Sequence, residues 1–153
     1  MKKLTHLLLL SICLSAGVHS SEGESYLNTD KPFLTIEDIN RQSEAWGTCS
    51  ATYRLTSMLF ADSQPAQAEE YKNYSNGAKI AVIMANVGDA LDEGTSPARF
   101  SSIWAFSKAL GDSIPESQFT RIMADAESLR GSGLGGFETK LVNTMRVCLD
   151  NLE

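Results

Sequence analysis

Beyond its first twenty residues the chain contains no histidine; both, His6 and His19, lie in "MKKLTHLLLLSICLSAGVHS". That absence removes the base from any Ser-His-Asp or Cys-His nucleophile and imidazole from zinc and haem sites. No C-x-x-C or C-x-x-C-H occurs, so thiol exchange and covalent haem attachment lack their motifs. No stretch alternates apolar and polar residues as a half-buried strand would. Long apolar runs are missing too. The longest, residues 7–14, is short of the roughly 20 residues a bilayer span requires, so no stable membrane insertion is expected.

What the first twenty residues do contain is the pattern of a secretory signal. Lys2 and Lys3 open it, the apolar run follows, and Val18 and Ser20 are small enough for signal peptidase. The pattern predicts a signal peptide over 1–20, cleaved after Ser20, and a bacterial protein that is periplasmic or secreted. Ile12, bulky ahead of Cys13, argues against lipid attachment there. Residues 21–153 then hold 11 Lys and Arg against 19 Asp and Glu, a net charge of −8. So acidic a chain is poorly suited to nucleic acid or to anionic lipid surfaces, both of which attract Lys and Arg.

The expected fold is all-α: a single-domain bundle of about five helices closed by one disulfide. Residues 21–34, "SEGESYLNTDKPFL", are polar and aperiodic and read as an extended or mobile lead-in to a bundle over 35–153. Thr35 in "TIED" is a candidate cap for a first helix ending near Ala61, and a second is expected from about Gln67 to Ala90. "GTSPARF" supplies Ser96 as cap and Pro97 at the first position of a third helix, expected to stop at Gly111. A fourth would start at Pro115, and a last would run from about Gly136 to Leu152.

Inside the first helix, "GTCSAT" (residues 47–52) is a run of small side chains. An interior glycine costs a helix about 1 kcal/mol relative to alanine, so a close neighbour should offset Gly47. The C-terminal helix is the expected neighbour, with Cys148 bonded to Cys49, since these are the two cysteines left after export.

Candidate ligand sites are few. "GSGLGGF" (residues 131–137) matches the G-x-G-x-x-G spacing, but that fingerprint works between a strand and a helix, and here a helix precedes it. It reads as a hinge that lets the last helix fold back. "DALDEGTSPARF" (residues 89–100) has Asp89, Glu93 and Gly94 in calcium-loop positions, yet Leu91 and Phe100 stand where ligands are required. Asn73-Tyr74-Ser75 fits the glycosylation triplet inside a predicted helix, where a chance match is the simpler reading. Glu37-Asp38, Glu69-Glu70 and Asp125/Glu127 point apart on their helices and read as solvated faces. No cofactor and no metal is therefore expected.

Trp46, Trp104 and Phe106 are the aromatics that could meet a partner or line a pocket. The continuous apolar run 103–106 requires either that the third helix is central or that one side of it faces a partner, and burial is the favoured option. The expected function is a non-catalytic module of inhibitor, immunity or adaptor type that binds another exported protein. The alternatives are a carrier of an apolar small molecule in an inter-helix cavity, and a carboxylate-dependent hydrolase.

Overall fold

The structure, a computed structural model, describes residues 24–129 and 135–152. The expected signal peptide and most of the glycine hinge, residues 131–134, lie outside them. Among the described residues there are four α-helices and no strand. They are α1 (Ile39–Phe60), α2 (Pro65–Ala90), α3 (Pro97–Ser128) and α4 (Gly135–Asp150). A single 3-10 turn, Phe33–Thr35, precedes them.

The count of four, rather than about five, corrects one boundary. The expected third and fourth helices are one, α3, which continues through Gly111 and Pro115. Proline inside a helix costs about 3 kcal/mol and glycine about 1, so local propensity alone would break the chain there. Packing outweighs propensity. A Cβ on Gly111 would overlap the side chain of Ile83 in α2, and a Cβ on Gly47 in α1 would stand 2.5 Å from Ile114 Cγ2. Both glycines admit a neighbouring helix at the weak segment, which is clamped from two sides while Gly111 and Pro115 are buried.

α1 is the central helix, not the third. Nine consecutive residues, from Ala45 to Tyr53, are buried, which over 3.6 residues per turn leaves no free face. Much of this surface is hydroxylated, and several of the close approaches carry their own hydrogen bonds. Ser50 Oγ donates to the Ser75 carbonyl at 2.9 Å and Ser75 Oγ to the Ser50 carbonyl at 2.8 Å, joining α1 to α2. Asn86 Nδ2 donates to Ser43 Oγ at 2.8 Å. Thr48 and Thr56 turn back to the carbonyls of Glu44 and Thr52. The small run therefore receives three neighbours rather than the C-terminal helix alone: α3 at Gly47, α2 at Ser50 and α4 at Cys49.

The disulfide Cys49–Cys148 is present, with its Cα atoms 5.5 Å apart and both residues fully buried. It anchors α4 to the middle of α1. The lead-in completes the wall. Residues 24–36 are held down rather than loose: the Tyr26 amide donates to Thr144 Oγ1 at 2.9 Å, and the Phe33 amide to Asn151 Oδ1 at 2.7 Å. The Phe33 ring meets Trp46 edge-on at 4.9 Å, while Tyr26 packs with Ile122 and Phe137 in a second apolar cluster. Pinned in this way, the segment forms a strap joining α1, α3 and α4.

Helix starts follow capping chemistry. α1 begins four residues after Thr35, because Asp38 is the cap: its carboxylate accepts from the amides of Asn40 and Arg41. Ser96 and Pro97 start α3 as expected, with Ser96 Oγ accepting from the Arg99 amide. Gly94, at φ +92, makes the turn before it.

Replacing both Cys49 and Cys148 by alanine should cost about 4 kcal/mol in urea unfolding, from the loss of the loop closure. Gly111→Val should be destabilising by a further few kcal/mol through overpacking against Ile83 (~1–3 kcal/mol), offset only slightly by helix propensity.

Candidate functional site

Two places on the surface are built differently from the rest: the free end of α3 and the cavity beneath the strap. The end of α3 is a consequence of helix register. Gly47 lies against Ile114, so the start of α1 at Ile39 is level with Phe106 of the parallel α3. Residues 97–105 of α3 thus run past the end of α1 with only α2 as a helical neighbour. By the contact of Ile83 with Gly111, position 104 lies level with Ala90 on α2. Phe100 and Trp104, on the stripe that continues through Ser107 and Gly111 into the interior, lose their cover there. They stack on each other at 6.5 Å and are 43% and 44% exposed.

The three aromatics anticipated from sequence separate. Trp46 is 7% exposed, a core residue beneath Phe33. Trp104 is half exposed and Phe106 is 66% exposed, so the apolar run 103–106 does not make α3 the central helix. Two residues apart on a helix, Trp104 and Phe106 point about 200° away from each other and cannot share one flat contact. Tyr53, Tyr71 and Tyr74 pack on one another, with ring centres 5.5 to 6.3 Å apart. Instead of lining a void, they fill the core.

The strap cavity, about 190 Å³, lies between residues 26–29 of the strap, α1 and α3. Arg41, Glu44 and Thr48 reach it from α1, and Gln118 and Arg121 from α3. Arg121 Nη2 donates to the Tyr26 carbonyl at 2.9 Å, which fixes the guanidinium at the cavity edge. Thr48 Oγ1 donates to the Glu44 carbonyl at 2.8 Å and lies 3.3 Å from the side-chain amide of Gln118.

On the other side of Tyr26, a polar cluster locks the strap. The Tyr26 hydroxyl donates to Asp125 Oδ2 at 2.5 Å, and Lys140 Nζ lies 3.4 Å from the same oxygen. The Tyr26 hydrogen bond, then the nearby Lys140 charge, hold Asp125 below the usual carboxylate range against the opposing effect of desolvation. Burial, followed by the bond to Asp125, pushes the Tyr26 phenol well up. Tyr26 accordingly stays protonated and Asp125 ionised across the neutral range, each fixing the other.

Arg41, Gln118 and Arg121 carry no sequence motif, and Asp125 has the spacing of a solvated acid. The local signals were two apolar pairs, Tyr26-Leu27 and Phe33-Leu34, in a lead-in that is polar elsewhere. At the α2–α3 turn, Asp92 bonds Thr95 and pairs with Arg99 at 2.9 Å. No group of three metal-ligating side chains occurs among the described residues. No described helix is long and apolar enough to cross a membrane. No protein family, curated protein or solved structure matches the chain.

Asp125 contributes stability that is fully present above its unfolded-state pKa and is lost as the pH falls through its lower folded value. Tyr26→Phe should raise the Asp125 pKa toward the usual range, as read by NMR titration of the carboxyl carbon. An unmoved titration would mean that Tyr26 is not the group holding it down.

Proposed function

We propose that the protein is an exported, non-catalytic module that binds another protein through the free end of the α2–α3 hairpin. The observation that carries this reading is the exposed Phe100–Trp104 stack on turns of α3 that α1 leaves uncovered. Large aromatics at a rigid helical end supply contact area with few rotamers to freeze. Asp89 and Glu93 beside the turn are exposed, so the partner surface that fits is apolar and flanked by Lys or Arg. Export is supported by the sequence of the first twenty residues and agrees with a disulfide buried in the fold.

The two alternatives draw less support from this geometry. An apolar carrier needs an apolar void, whereas the strap cavity is lined largely by polar and charged side chains. A carboxylate pair across a cleft is not offered there either: Glu44 is the one acid lining that cavity.

Expressed from its full sequence in a bacterium, the protein should be recovered from the envelope or medium with an intact mass that begins at Ser21. Retention of residues 1–20 on a cytoplasmic product would sink the export reading. The oxidised protein should retain a basic, apolar-faced partner from envelope extracts, with a blue shift of Trp104 emission. Phe100→Ala and Trp104→Ala should each weaken that association roughly tenfold or more while leaving the melting temperature nearly unchanged. Equal retention by both variants would move the contact elsewhere.

A further inference from the structure

We infer that the strap cavity is a binding site for a small acidic amino acid, a molecule with two carboxylates and one ammonium. Three formal charges line the cavity: Arg41 and Glu44 from α1, and Arg121 from α3. No hydrogen bond or ion pair within the described residues occupies the Arg41 guanidinium or the Glu44 carboxylate, although both line the same space. Several other opposite charges on the surface find each other: Arg54 with Glu116, Lys79 with Asp112, and Arg99 with Asp92. Arg41 and Glu44 stand three residues apart on a helix and do not.

The cavity therefore presents two cations and one anion, a net charge of +1. An acidic amino acid carries the inverse set. One carboxylate meets Arg41, the other meets Arg121, and the ammonium meets Glu44. Guanidinium groups suit carboxylates because their paired N–H donors match the two oxygens. Arg121 is already oriented by the Tyr26 carbonyl, so little of its freedom remains to be lost on binding. Thr48 and Gln118 add neutral hydrogen-bonding groups, and Ala45 gives an apolar floor. A volume of about 190 Å³ lies below the roughly 300–1,000 Å³ of drug-sized sites, which limits the ligand to a small molecule.

The test is calorimetric titration of the full-length oxidised protein with aspartate, glutamate, succinate, alanine and acetate, alongside amide NMR. Aspartate or glutamate should bind most tightly, with shifts centred on the amides of Ala45, Thr48 and Gln118. Succinate lacks the ammonium and alanine lacks the second carboxylate, so each should bind more weakly. Arg41→Gln should weaken aspartate binding roughly tenfold or more, since one charge-assisted pair is lost. Its side chain has no partner among the described residues, so this variant should keep the wild-type melting temperature.

Glu44→Gln should weaken aspartate while leaving succinate unchanged or tighter, an outcome that a merely structural role for Glu44 would not give. The inference is overturned if aspartate and glutamate show no binding up to about 10 mM, weaker than any useful charge-paired site would be. It is overturned equally if aspartate binds as well to Arg41→Gln, or if the shifts map to the α2–α3 turn.

Discussion

α1 can be enclosed on every side only because its middle is made of small, hydroxylated residues, and the remaining elements take their positions from that enclosure. Bulky side chains at Gly47, Ser50 or Cys49 would hold the neighbours off. With small ones, α3 closes against Gly47, α2 exchanges hydroxyl–carbonyl bonds at Ser50, and α4 is tied at Cys49. Backbone-distance approaches of this kind increase dispersion contact per residue, and the hydroxyls avoid the cost of burying unpaired polar groups. The exceptions, Thr52 Oγ1, Tyr53 OH and Ser107 Oγ, have no hydrogen-bond partner among the described residues.

The same enclosure creates both surface features. α3 is 32 residues long and α1 is 22, so a helix held alongside α1 from Gly47 onward must overrun it at one end. Phe100 and Trp104 are exposed by that mismatch. On the α4 side the disulfide holds one end of the wall, and the strap fills the remaining gap between α3 and α4. Tyr26 serves as its peg: the ring sits in the second apolar cluster, while hydroxyl and carbonyl are bonded to Asp125 and Arg121. Because the strap crosses the groove between α1 and α3 without filling it, a polar cavity is left beneath.

An all-helical fold, the Cys49–Cys148 pair and the Ser96-Pro97 start of α3 were all legible along the chain. Each depends on short-range chemistry or on elimination. Apolar spacing of three or four residues, a cap followed by proline, and two cysteines remaining after a predicted signal require no knowledge of neighbours. A stop at Gly111 was not legible as false, because propensity is a local quantity. What holds Gly111 and Pro115 helical is contact with Ile83 and Gly47, 28 and 68 residues away. The strap was hidden for a related reason. Its residues are polar on average, and the few that matter, Tyr26, Leu27 and Phe33, are anchored by Thr144, Asn151 and Trp46.

By itself, then, the sequence determined the helical class, the covalent closure and the exclusion of imidazole chemistry from residues 21–153, since composition and local spacing suffice for these. The tertiary structure alone decided which helix is central, which aromatics face outward, and that Arg41, Glu44 and Arg121 line one cavity. Those outcomes depend on the relative register of α1, α2 and α3. That register is set where glycines 47 and 111 let side chains of distant helices settle against the backbone.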